Sequence, residues 1–552
     1  MNPAGSDPPV GPPASRLYGL RVFAVCLVLS AAFLAIGTRS SPLYPTNDWV
    51  DSNAMFTVGR GMMNGQVPYR DLFEQKGPLL YFLYGLASLV SDRSFVGVYL
   101  LETLSFAAYL SILWRTVLVW SAGRRPRPAV LPVLLIPLAA FTVNTSAFTL
   151  GGSAEELCLP LLAAGILLLS VRIRDRGTDR ARGPAGRREL VLAGMLAGCV
   201  LWMKYTMLGF WLGWVFAVLI LIPGRRPLRK IVAEASLFLA GMLAASLPWA
   251  AYFLVNGAVG DAFHAYFTVN IQHYPNHSPL WFRPFASIGL FFFHGFHNLP
   301  LVLAMAWGAA RLFFGPAGRT GGKRLGLRAL LPFLLCLVCQ AVATYIGLLA
   351  YSYYFLSFAP FAVFGAVAAL PGAERLAARI GDGRVPSPGS RTAPLRRRTW
   401  AAASVLLAVA LSLSYLYNPN VRAMGRKSGD SAQERFAAII RADPDPSLLN
   451  YGYLDHGFYL AAGLLPEVRF FENQNIPRER YPLILDEQGR YIAERQINFV
   501  VLRVGANEPE GTMVPAVLAG NYDRIAVHWQ EYRKVIYRYE LYRVKDDRMS
   551  AG

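Results

Sequence analysis

Apolar runs long enough to cross a bilayer recur from residue 17 to residue 416. A transmembrane helix needs about 20 predominantly apolar residues. Eleven runs come near that length, at about 17–36, 94–119, 128–149, 154–171, 190–206, 207–223, 232–255, 284–313, 329–350, 353–371 and 399–416. The shorter run Pro78–Val90 predicts a juxtamembrane helix that lies in the membrane interface. The pattern therefore predicts a polytopic α-helical membrane protein with about eleven transmembrane helices.

The polar segments divide the chain into three predicted regions. Residues 1–16 are rich in Pro, Gly and Ser and predict a disordered N-terminus. Residues 17–416 form the membrane module, in which residues 39–93 are the first long polar loop. Residues 417–552 are polar throughout and are numerous enough for one compact domain.

The polar C-terminal region shows the patterns of a small α/β domain. Asp430–Ala442 predicts a helix with Ser431 or Asp430 as its N-cap. Short β-branched and apolar runs predict strands at Ser447–Tyr451 and Ile497–Leu502, and side chains alternate at Lys534–Val544. Asp455 and His456 are adjacent there, and we favour a structural or lid role over catalysis because adjacency alone does not make a catalytic triad.

The distribution of basic residues predicts the orientation of the chain. Lys and Arg concentrate in every second loop, at 124–127, 172–188, 225–230, 319–328 and 375–398. The positive-inside rule assigns such loops to the cytoplasm. The N-terminus is therefore predicted to be cytoplasmic, and after an odd number of spans the C-terminal domain is predicted to be extracytoplasmic, in a multi-pass protein of the cytoplasmic membrane.

Composition excludes two broad classes of protein. The chain is 54% hydrophobic and only 16% charged, whereas soluble proteins carry about a quarter charged residues. Its net charge of +20 could indicate nucleic acid as a partner, but the basic residues lie in short loops between apolar runs. The lipid bilayer is the predicted partner, and nucleic acid is not.

Cysteine and histidine spacing predicts neither a disulfide framework nor a metal site. All five cysteines lie in apolar segments, including the pair Cys336 and Cys339. His273 and His277 are four residues apart, and His294 and His297 are three apart. Zinc would need further ligands beside either pair. We therefore expect no metal and no cofactor.

The first polar loop carries the candidate chemistry. Its charged residues include Asp48, Asp51, Asp71, Glu74, Arg70 and Lys76. Asp51–Gly61 predicts an amphipathic helix that lies on the bilayer, with Asp51 at the end where the helix dipole stabilises a carboxylate. An acid held beside a lysine at a membrane surface suits chemistry on a lipid-linked substrate, although an ordinary solvated loop remains the alternative.

Three motifs resemble those of a known enzyme family. The first loop contains Asp51-Ser-Asn-Ala-Met-Phe, Gly65-Gln-Val-Pro-Tyr-Arg-Asp71 and Glu74-Gln-Lys76-Gly-Pro78-Leu-Leu-Tyr81; Gly151-Gly-Ser-Ala-Glu155-Glu156 and Tyr353-Tyr-Phe-Leu-Ser-Phe-Ala-Pro360 follow. Together they resemble the multi-spanning glycosyltransferases of C-type (GT-C) fold, specifically bacterial relatives of the protein O-mannosyltransferases and of the lipid A aminoarabinose transferase. The resemblance covers about residues 17–415.

The resemblance implies inverting transfer of a monosaccharide from a polyprenyl-phosphate-linked donor to an acceptor outside the membrane. The acceptor would be a lipid, a polysaccharide or a protein. Asp51 matches the family's acidic position and is the candidate base, with Asp48 as the substitute. The implied donor-phosphate ligands are Lys76, Lys204, Arg70 and Tyr353; the implied acceptor-binding or structural carboxylates are Asp71, Glu74, Glu155 and Glu156.

The chain departs from the family pattern at several positions. Ser52 stands where a second acid often follows the first, Gln75 and Gly77 interrupt the Glu-Lys-Pro element, and Ser352 and Tyr353 replace a basic residue of the late span. Two rival classes remain. A secondary transporter would show two similar halves, which the sequence lacks, and a non-catalytic envelope-assembly protein would need no acid in its first loop.

Overall fold

The computed structural model shows a helical membrane module followed by a small domain built on a sheet. It describes residues 16–121, 126–174, 184–222, 227–275, 278–315, 319–320, 323–380, 393–427, 429–508, 514–532 and 535–545. The predicted disordered segment 1–15, parts of the basic loops and His277 lie outside the described residues.

Nine α-helices are described in the first half of the membrane module. They are α1 (Arg16–Gly37), α2 (Val50–Met63), α3 (Pro78–Ser88), α4 (Val96–Trp120), α5 (Val130–Val143), α6 (Ala154–Arg174), α7 (Pro184–Lys204), α8 (Leu208–Phe216) and α9 (Leu228–Val255). A 3₁₀ turn at Tyr205–Met207 joins α7 to α8, and a π-helical segment at Ala217–Leu221 extends α8.

Six further α-helices and several irregular helical segments are described in the second half. The α-helices are α10 (Val259–Phe263), α11 (Arg283–Phe296), α12 (Leu299–Ala309), α13 (Leu327–Tyr345), α14 (Val363–Ile380) and α15 (Ala393–Tyr417). The π-helical segments are His264–His273 and Ala310–Phe314, and the 3₁₀ segments are Ser352–Ala362 and Pro419–Ala423. The two-residue strands β1 (Arg319–Thr320) and β2 (Lys323–Arg324) form a short antiparallel hairpin before α13.

Seven helical stretches among the described residues are long and apolar enough to cross a membrane. They are Arg16–Gly37, Val96–Trp120, Ala154–Arg174, Gly186–Leu221, Leu228–Val255, Leu327–Tyr345 and Ser352–Arg379. An eighth span arises if the pair Arg283–Phe296 and Leu299–Phe314, bent by 105°, counts as one. Shorter apolar helices lie at Pro78–Ser88, Val130–Val143 and Ala401–Tyr417. A multi-pass helical membrane protein is therefore confirmed.

The 36-residue stretch Gly186–Leu221 reverses direction at Lys204. A methyl group added to Gly194 of α7 would lie 1.9 Å from the Phe238 carbonyl oxygen, and one added to Gly198 would lie 2.9 Å from that of Met242, both in α9. These contacts advance in the same direction along both helices, so α7 and α9 run parallel and α8 must return between them. Lys204 has extended backbone angles, φ −158° and ψ 97°. The structure reaches the predicted eleven spans when α7 and α8 are counted separately, the bent pair of α11 and α12 is counted as one span, and the shorter helices α5 and α15 are also counted as spans.

Several helix ends meet on one side of the module. The Asn420 side chain donates to the carbonyl oxygens of Gly37, at the end of α1, and of Thr149, before α6. Asn144, which follows α5, donates to the Ser414 hydroxyl near the end of α15. We call this the domain side, because the C-terminal domain follows directly from α15.

The C-terminal domain is built on one four-stranded mixed sheet. Its elements are α16 (Ala432–Ile440), β3 (Leu448–Tyr451), α17 (Phe458–Ala462), α18 (Leu483–Ala493), β4 (Phe499–Gly505), α19 (Ala516–Asn521), β5 (Tyr522–Tyr532) and β6 (Val535–Val544). The strand order is β3-β4-β6-β5; β3 and β4 are parallel and the other pairs are antiparallel. The predicted strands correspond to β3, β4 and β6. Ser431 is the N-cap of α16, because its hydroxyl accepts from the Glu434 amide.

Helix α2 forms as predicted, but the prediction that it lies on the bilayer is wrong. Every residue from Asp51 to Gly61 is buried in protein. One face packs on α3, where Gly59 approaches the backbone of Gly85 closely. On the other side, the Arg60 guanidinium donates to the Leu464 carbonyl oxygen of the C-terminal domain. The same apolar pattern occurs in a helix that is covered on all sides by protein and in one that rests on lipid, so the pattern alone does not distinguish the two.

Candidate active site

Asp51 lies in the first turn of α2 and is 9% exposed. Its Oδ1 is 3.6 Å from the Nζ of Lys76. The positive end of the helix dipole stabilises a carboxylate at this position. The chain therefore brings together the two loop residues to which the sequence assigns the base and a phosphate ligand.

Lys76 is shared between two carboxylates. Its Nζ is 3.3 Å from Oε1 of Glu74, and its backbone amide donates to Oε2 of Glu74 at 2.7 Å. The Tyr81 hydroxyl also donates to Glu74, which is fully enclosed. Burial alone lowers the pKa of Lys76, but the carboxylates of Asp51 and Glu74 outweigh it and hold that pKa above its ordinary value. The ammonium group is therefore a stable positive charge, oriented by Glu74.

Lys204 ends α7 and pairs with Glu155 at the start of α6. The Lys204 Nζ also lies 3.7 Å from the ring centroid of Tyr354 and 5.3 Å from that of Tyr353. Oε2 of Glu155 is buried and has no hydrogen-bond partner in the part of the chain that the structure describes. Lys204 is therefore fixed by a carboxylate and aromatic rings, and it does not extend toward lipid.

These residues form one group, which we call the lysine cluster: Asp51, Lys76, Glu155, Lys204 and Tyr353. Lys204 interacts electrostatically with both Asp51 and Lys76, and Tyr353 interacts with Asp51 and Glu155. Trp49 packs edge-on against Tyr353 at 5.8 Å between ring centroids. The cluster thus presents two carboxylates and two ammonium groups beside an aromatic wall, at the domain side of the membrane module.

Asp48, the substitute candidate base, has a different environment. It is 3% exposed and lies between two guanidinium groups: Arg426 Nη1 is 2.8 Å from Oδ2, and Arg39 Nη1 is 3.7 Å from Oδ1. Arg426 belongs to the segment that leads into the C-terminal domain. Asp48 therefore joins the first loop to that segment, an arrangement that favours Asp51 as the base.

Arg70 and Asp71 are not brought into the lysine cluster. The Arg70 guanidinium forms two hydrogen bonds with Asp71, at 2.8 and 2.9 Å, and one with the Asn256 carbonyl oxygen at 2.8 Å. Asp71 also accepts from the Val67 amide at 2.7 Å. The hydrogen bond from Arg70 holds the pKa of Asp71 below its ordinary value. The pair shapes the loop at its surface, so Arg70 is no longer our choice as a donor-phosphate ligand.

Glu156 belongs to a buried carboxyl pair that the sequence interpretation missed. Its Oε2 accepts from the Gly152 amide at 2.7 Å, and its carboxyl group lies beside that of Glu102. Glu102 in turn accepts from the Thr38 hydroxyl at 2.9 Å. The signal was available, because a carboxyl group in the middle of the run 94–119 is costly in a membrane and marks a functional or structural site.

The Tyr84 hydroxyl connects the carboxyl pair with the start of α2. It donates to the Gly152 carbonyl oxygen at 2.5 Å and lies 3.3 Å from the Ser52 hydroxyl. Ser52 directly follows Asp51. Glu156 and Glu102 therefore shape the Gly151–Gly152 loop that supports the lysine cluster.

The histidines and cysteines form no metal centre within the described ranges. No group of three or more His, Cys, Asp or Glu side chains there could hold a metal ion. His273 Nδ1 contacts the Arg480 carbonyl oxygen at 2.7 Å, and the ring of His294 stacks on Tyr345. All five cysteines are free thiols.

The segment that follows α9, residues 256–275, is fastened between the first loop and the C-terminal domain. Asn270 donates to the Gln75 carbonyl oxygen at 2.7 Å, next to Lys76. On the other side, His264 Nε2 is 2.9 Å from the Tyr481 hydroxyl, and Arg480 donates to the Pro275 carbonyl oxygen at 2.8 Å. This segment thereby links Gln75, one residue before the cluster lysine, with the C-terminal domain.

Comparison with known proteins identifies the fold. No protein-family model matches the chain, and no curated protein matches its sequence. Two solved structures of ArnT from Cupriavidus metallidurans match 96% of this chain and 98% of theirs: the undecaprenyl-phosphate complex, with a TM-score of 0.55 and 14% identity, and the apo state, with 0.53 and 12%. Oligosaccharyltransferase AglB from Archaeoglobus fulgidus follows at 0.45 and 11%, over 88% of this chain and 69% of its own. ArnT, the lipid A aminoarabinose transferase, is a membrane glycosyltransferase of GT-C fold, and this chain therefore has the GT-C fold with a C-terminal domain, as its sequence predicts.

Proposed function

We propose that this protein is a membrane glycosyltransferase that moves a monosaccharide from a polyprenyl-phosphate-linked donor to a hydroxyl group of a cell-envelope acceptor. In this proposal the domain side is extracytoplasmic, the N-terminus is cytoplasmic and the protein resides in the cytoplasmic membrane. The shared fold supports the donor class, since one of the ArnT structures is a complex with undecaprenyl phosphate.

One observation carries the proposal: a buried carboxylate at a helix N-terminus lies 3.6 Å from a lysine and in one cluster with a second. Sugar transfer from a lipid phosphate needs an acceptor for the attacking hydroxyl proton and cations for the departing phosphate. Asp51 supplies the first, and Lys76 and Lys204 supply the second. An ordinary surface loop would leave these groups solvated and apart.

In the proposed reaction, the acceptor oxygen attacks the anomeric carbon from the face opposite the phosphate. The acceptor O–H bond breaks and its proton goes to the Asp51 carboxylate. The new C–O bond forms as the bond between the anomeric carbon and the phosphate oxygen breaks, so the configuration inverts. General-base assistance of this kind contributes about 10²- to 10⁴-fold in rate.

The electron pair of the broken bond stays on the lipid phosphate, whose negative charge grows in the transition state. Lys76 and Lys204 stabilise that charge as positioned cations. Because Glu74 and Glu155 already orient the two ammonium groups, little rearrangement is needed when the phosphate arrives. A phosphomonoester leaving group does not in principle need a bridging divalent ion, so we expect transfer to continue in excess EDTA.

The direct test uses the purified protein in proteoliposomes with polyprenyl-phosphate donors that carry labelled mannose, arabinofuranose or glucose. Envelope extract serves as the acceptor, and the Asp51→Asn protein is the matched control. We expect one donor to lose its label to the acceptor, with an equal amount of polyprenyl phosphate released and an inverted anomeric linkage. Movement of a donor across the bilayer without cleavage of its sugar–phosphate bond would instead identify a transporter.

A further inference from the structure

A cavity of about 640 Å³ lies where the first loop, the start of α4 and the C-terminal domain meet. Its polar lining includes Arg39, Ser41, Tyr44, Arg93, Gln433 and Arg441. None of the residues of the lysine cluster lines it. The volume falls within the range of about 300–1,000 Å³ that is typical of small-molecule sites.

Basic residues dominate the charge of this cavity. Among the described residues that line it, three are arginines, Arg39, Arg93 and Arg441, and one is an acid, Glu434. Oε2 of Glu434 already accepts hydrogen bonds from the Gly429 amide and the Ser431 hydroxyl. Arg93 and Arg441, both exposed, form no ion pair with any described residue, whereas Arg39 pairs with Asp48. The cavity therefore favours an anionic ligand.

Two buried side chains in the lining leave polar atoms without hydrogen bonds. Gln433 is 4% exposed; its Nε2 donates to the His456 carbonyl oxygen, but its Oε1 has no hydrogen-bond partner among the described residues. Nη1 of Arg39, which is 9% exposed, likewise has none and is only 3.7 Å from Asp48. Unpaired buried donors and acceptors are rare, and a ligand is one of the partners that satisfy them.

The remaining lining suits a saccharide. Ser41 offers a hydroxyl group for hydrogen bonds with a sugar, and Phe95 offers an aromatic ring for its apolar face. Asn47, also in the lining, precedes Asp51 by four residues. Four extended residues span at most about 14 Å, so the cavity wall at Asn47 lies within about that distance of the candidate base.

We infer that this cavity binds an anionic sugar unit of the acceptor, with Arg93 and Arg441 at its carboxylate or phosphate group. The inference rests on the proposed function, which makes the adjacent lysine cluster the place of transfer. It narrows the acceptor to acidic glycans or glycolipids. A second cavity, of about 680 Å³, lies beyond Arg39 and is lined by Arg422 and Arg426; it supplies a matched control.

The test measures binding by calorimetry, without donor, on the full-length protein in nanodiscs. The probes are a disaccharide with one glucuronate residue, the same disaccharide with that carboxyl group reduced, and glucose 1-phosphate. We expect the glucuronate probe or the phosphate probe to bind at least about tenfold more tightly than the neutral one, because charge-assisted hydrogen bonds are the strong ones. Whichever of the glucuronate and phosphate probes binds more tightly identifies the anionic group as a carboxylate or a phosphate.

Variants then locate the site. The double variant Arg93→Gln, Arg441→Gln should lower the affinity for the more tightly bound probe by at least about tenfold. Arg422→Gln in the second cavity and Asp51→Asn should leave that affinity unchanged. Both cavity arginines are exposed, so the folded state should survive, as the unfolding temperature will show. Equal affinity for acidic and neutral probes, no measurable binding, or a loss caused only by Arg422→Gln would overturn the inference.

The same data separate this inference from the proposed function. If the protein transfers sugar but binds no acidic probe, the function stands and the anion site is wrong. If acidic probes bind at the cavity arginines but no donor is ever cleaved, the anion site stands and the glycosyltransferase assignment is wrong.

Discussion

Two aspartates three residues apart have environments that suit different roles. Asp51 faces one lysine at 3.6 Å. Asp48 lies between Arg39 and Arg426. A carboxylate that neutralises one buried and one half-buried guanidinium group is a poor proton acceptor, because protonation would leave both cations uncompensated. At the residue scale, this geometry supports a structural role for Asp48 and agrees with the proposal that Asp51 is the base.

The first prediction concerns Asp48→Asn. Removing one partner of a buried ion pair costs about 3–5 kcal/mol. We expect the unfolding temperature to fall by several degrees while the folded fraction keeps a rate close to that of the parent protein. Thermal unfolding and turnover per folded molecule check this. Arg426→Met is the matched control and should destabilise similarly. A stable but inactive Asp48→Asn protein would instead make Asp48 the base.

The second prediction concerns the two lysines. Replacing Lys76 or Lys204 with Met should lower kcat/KM for the donor by about 10- to 100-fold, because each removes a charge-assisted contact worth about 1.5–3 kcal/mol. The exposed Lys230 provides the control, since Lys230→Met should leave the kinetics unchanged. Steady-state kinetics with varied donor concentration is the measurement. If kcat/KM for the donor stayed at the parent value in both cluster variants, the phosphate site would have to lie elsewhere in the molecule.

At the scale of elements, a turn of the C-terminal domain packs on α2. The Gly457 backbone, at a φ of +99°, lies so near Asn53 that an added methyl group would be 3.0 Å from its Oδ1. Asp455 stabilises this turn by accepting from the amides of Gly457 and Phe458, at 3.0 and 2.9 Å. Asp455, which the sequence shows next to His456, thus holds the turn in place.

The third prediction follows from the pKa of Asp455. Burial raises that pKa from 3.8 to about 6. The folded state therefore binds the proton more tightly than the unfolded chain, so this group's contribution to stability falls as pH rises from about 4 to about 6 and is level above that. Unfolding temperatures between pH 5 and pH 7 should decrease more for the parent protein than for Asp455→Asn. Equal slopes would contradict the shifted pKa.

The helix α2 shows what a pattern of apolar residues leaves undetermined. Met55, Phe56 and Val58 predict a helix with an apolar face, and the helix is present. Lipid and protein interior both accept such a face, so the sequence could not show that α3 and the C-terminal domain cover it. Strand β5 was not among the predicted strands, because Asp523, Arg524 and Ile525 are consecutive exposed residues and break the alternation.

At the scale of the whole molecule, the sequence predicted the fold class and named several residues that the structure brings together, but it did not predict their pairing. Lys204 and Glu155 are 49 positions apart. Their ion pair depends on α6 and α7 being antiparallel neighbours, which no local pattern states. The cavity beside Arg39 was also beyond prediction, since it combines the first loop with residues more than 390 positions away, such as Gln433.

The fourth prediction tests the orientation of the molecule. Single cysteines at Gly520, exposed in the C-terminal domain, and at Lys230, exposed at the start of α9, should label from opposite sides of the membrane. In intact spheroplasts, an impermeant maleimide should label the cysteine at position 520 and not the one at position 230. After permeabilisation it should label position 230 as well. The parent protein is the blank, because its five native thiols are buried or half-buried. Labelling of both positions from one side would contradict the assigned topology.

The most direct measurement compares single turnovers of the parent protein and Asp51→Asn at a saturating concentration of the donor that the parent protein uses. Asn keeps the shape of the side chain but cannot take the acceptor's proton. The account predicts unchanged donor affinity and a rate lower by about 10²- to 10⁴-fold, equivalent to about 3–5 kcal/mol of barrier. A rate equal to that of the parent protein, with the donor bound equally well, would show that Asp51 is not the base and that the lysine cluster is not the place of transfer.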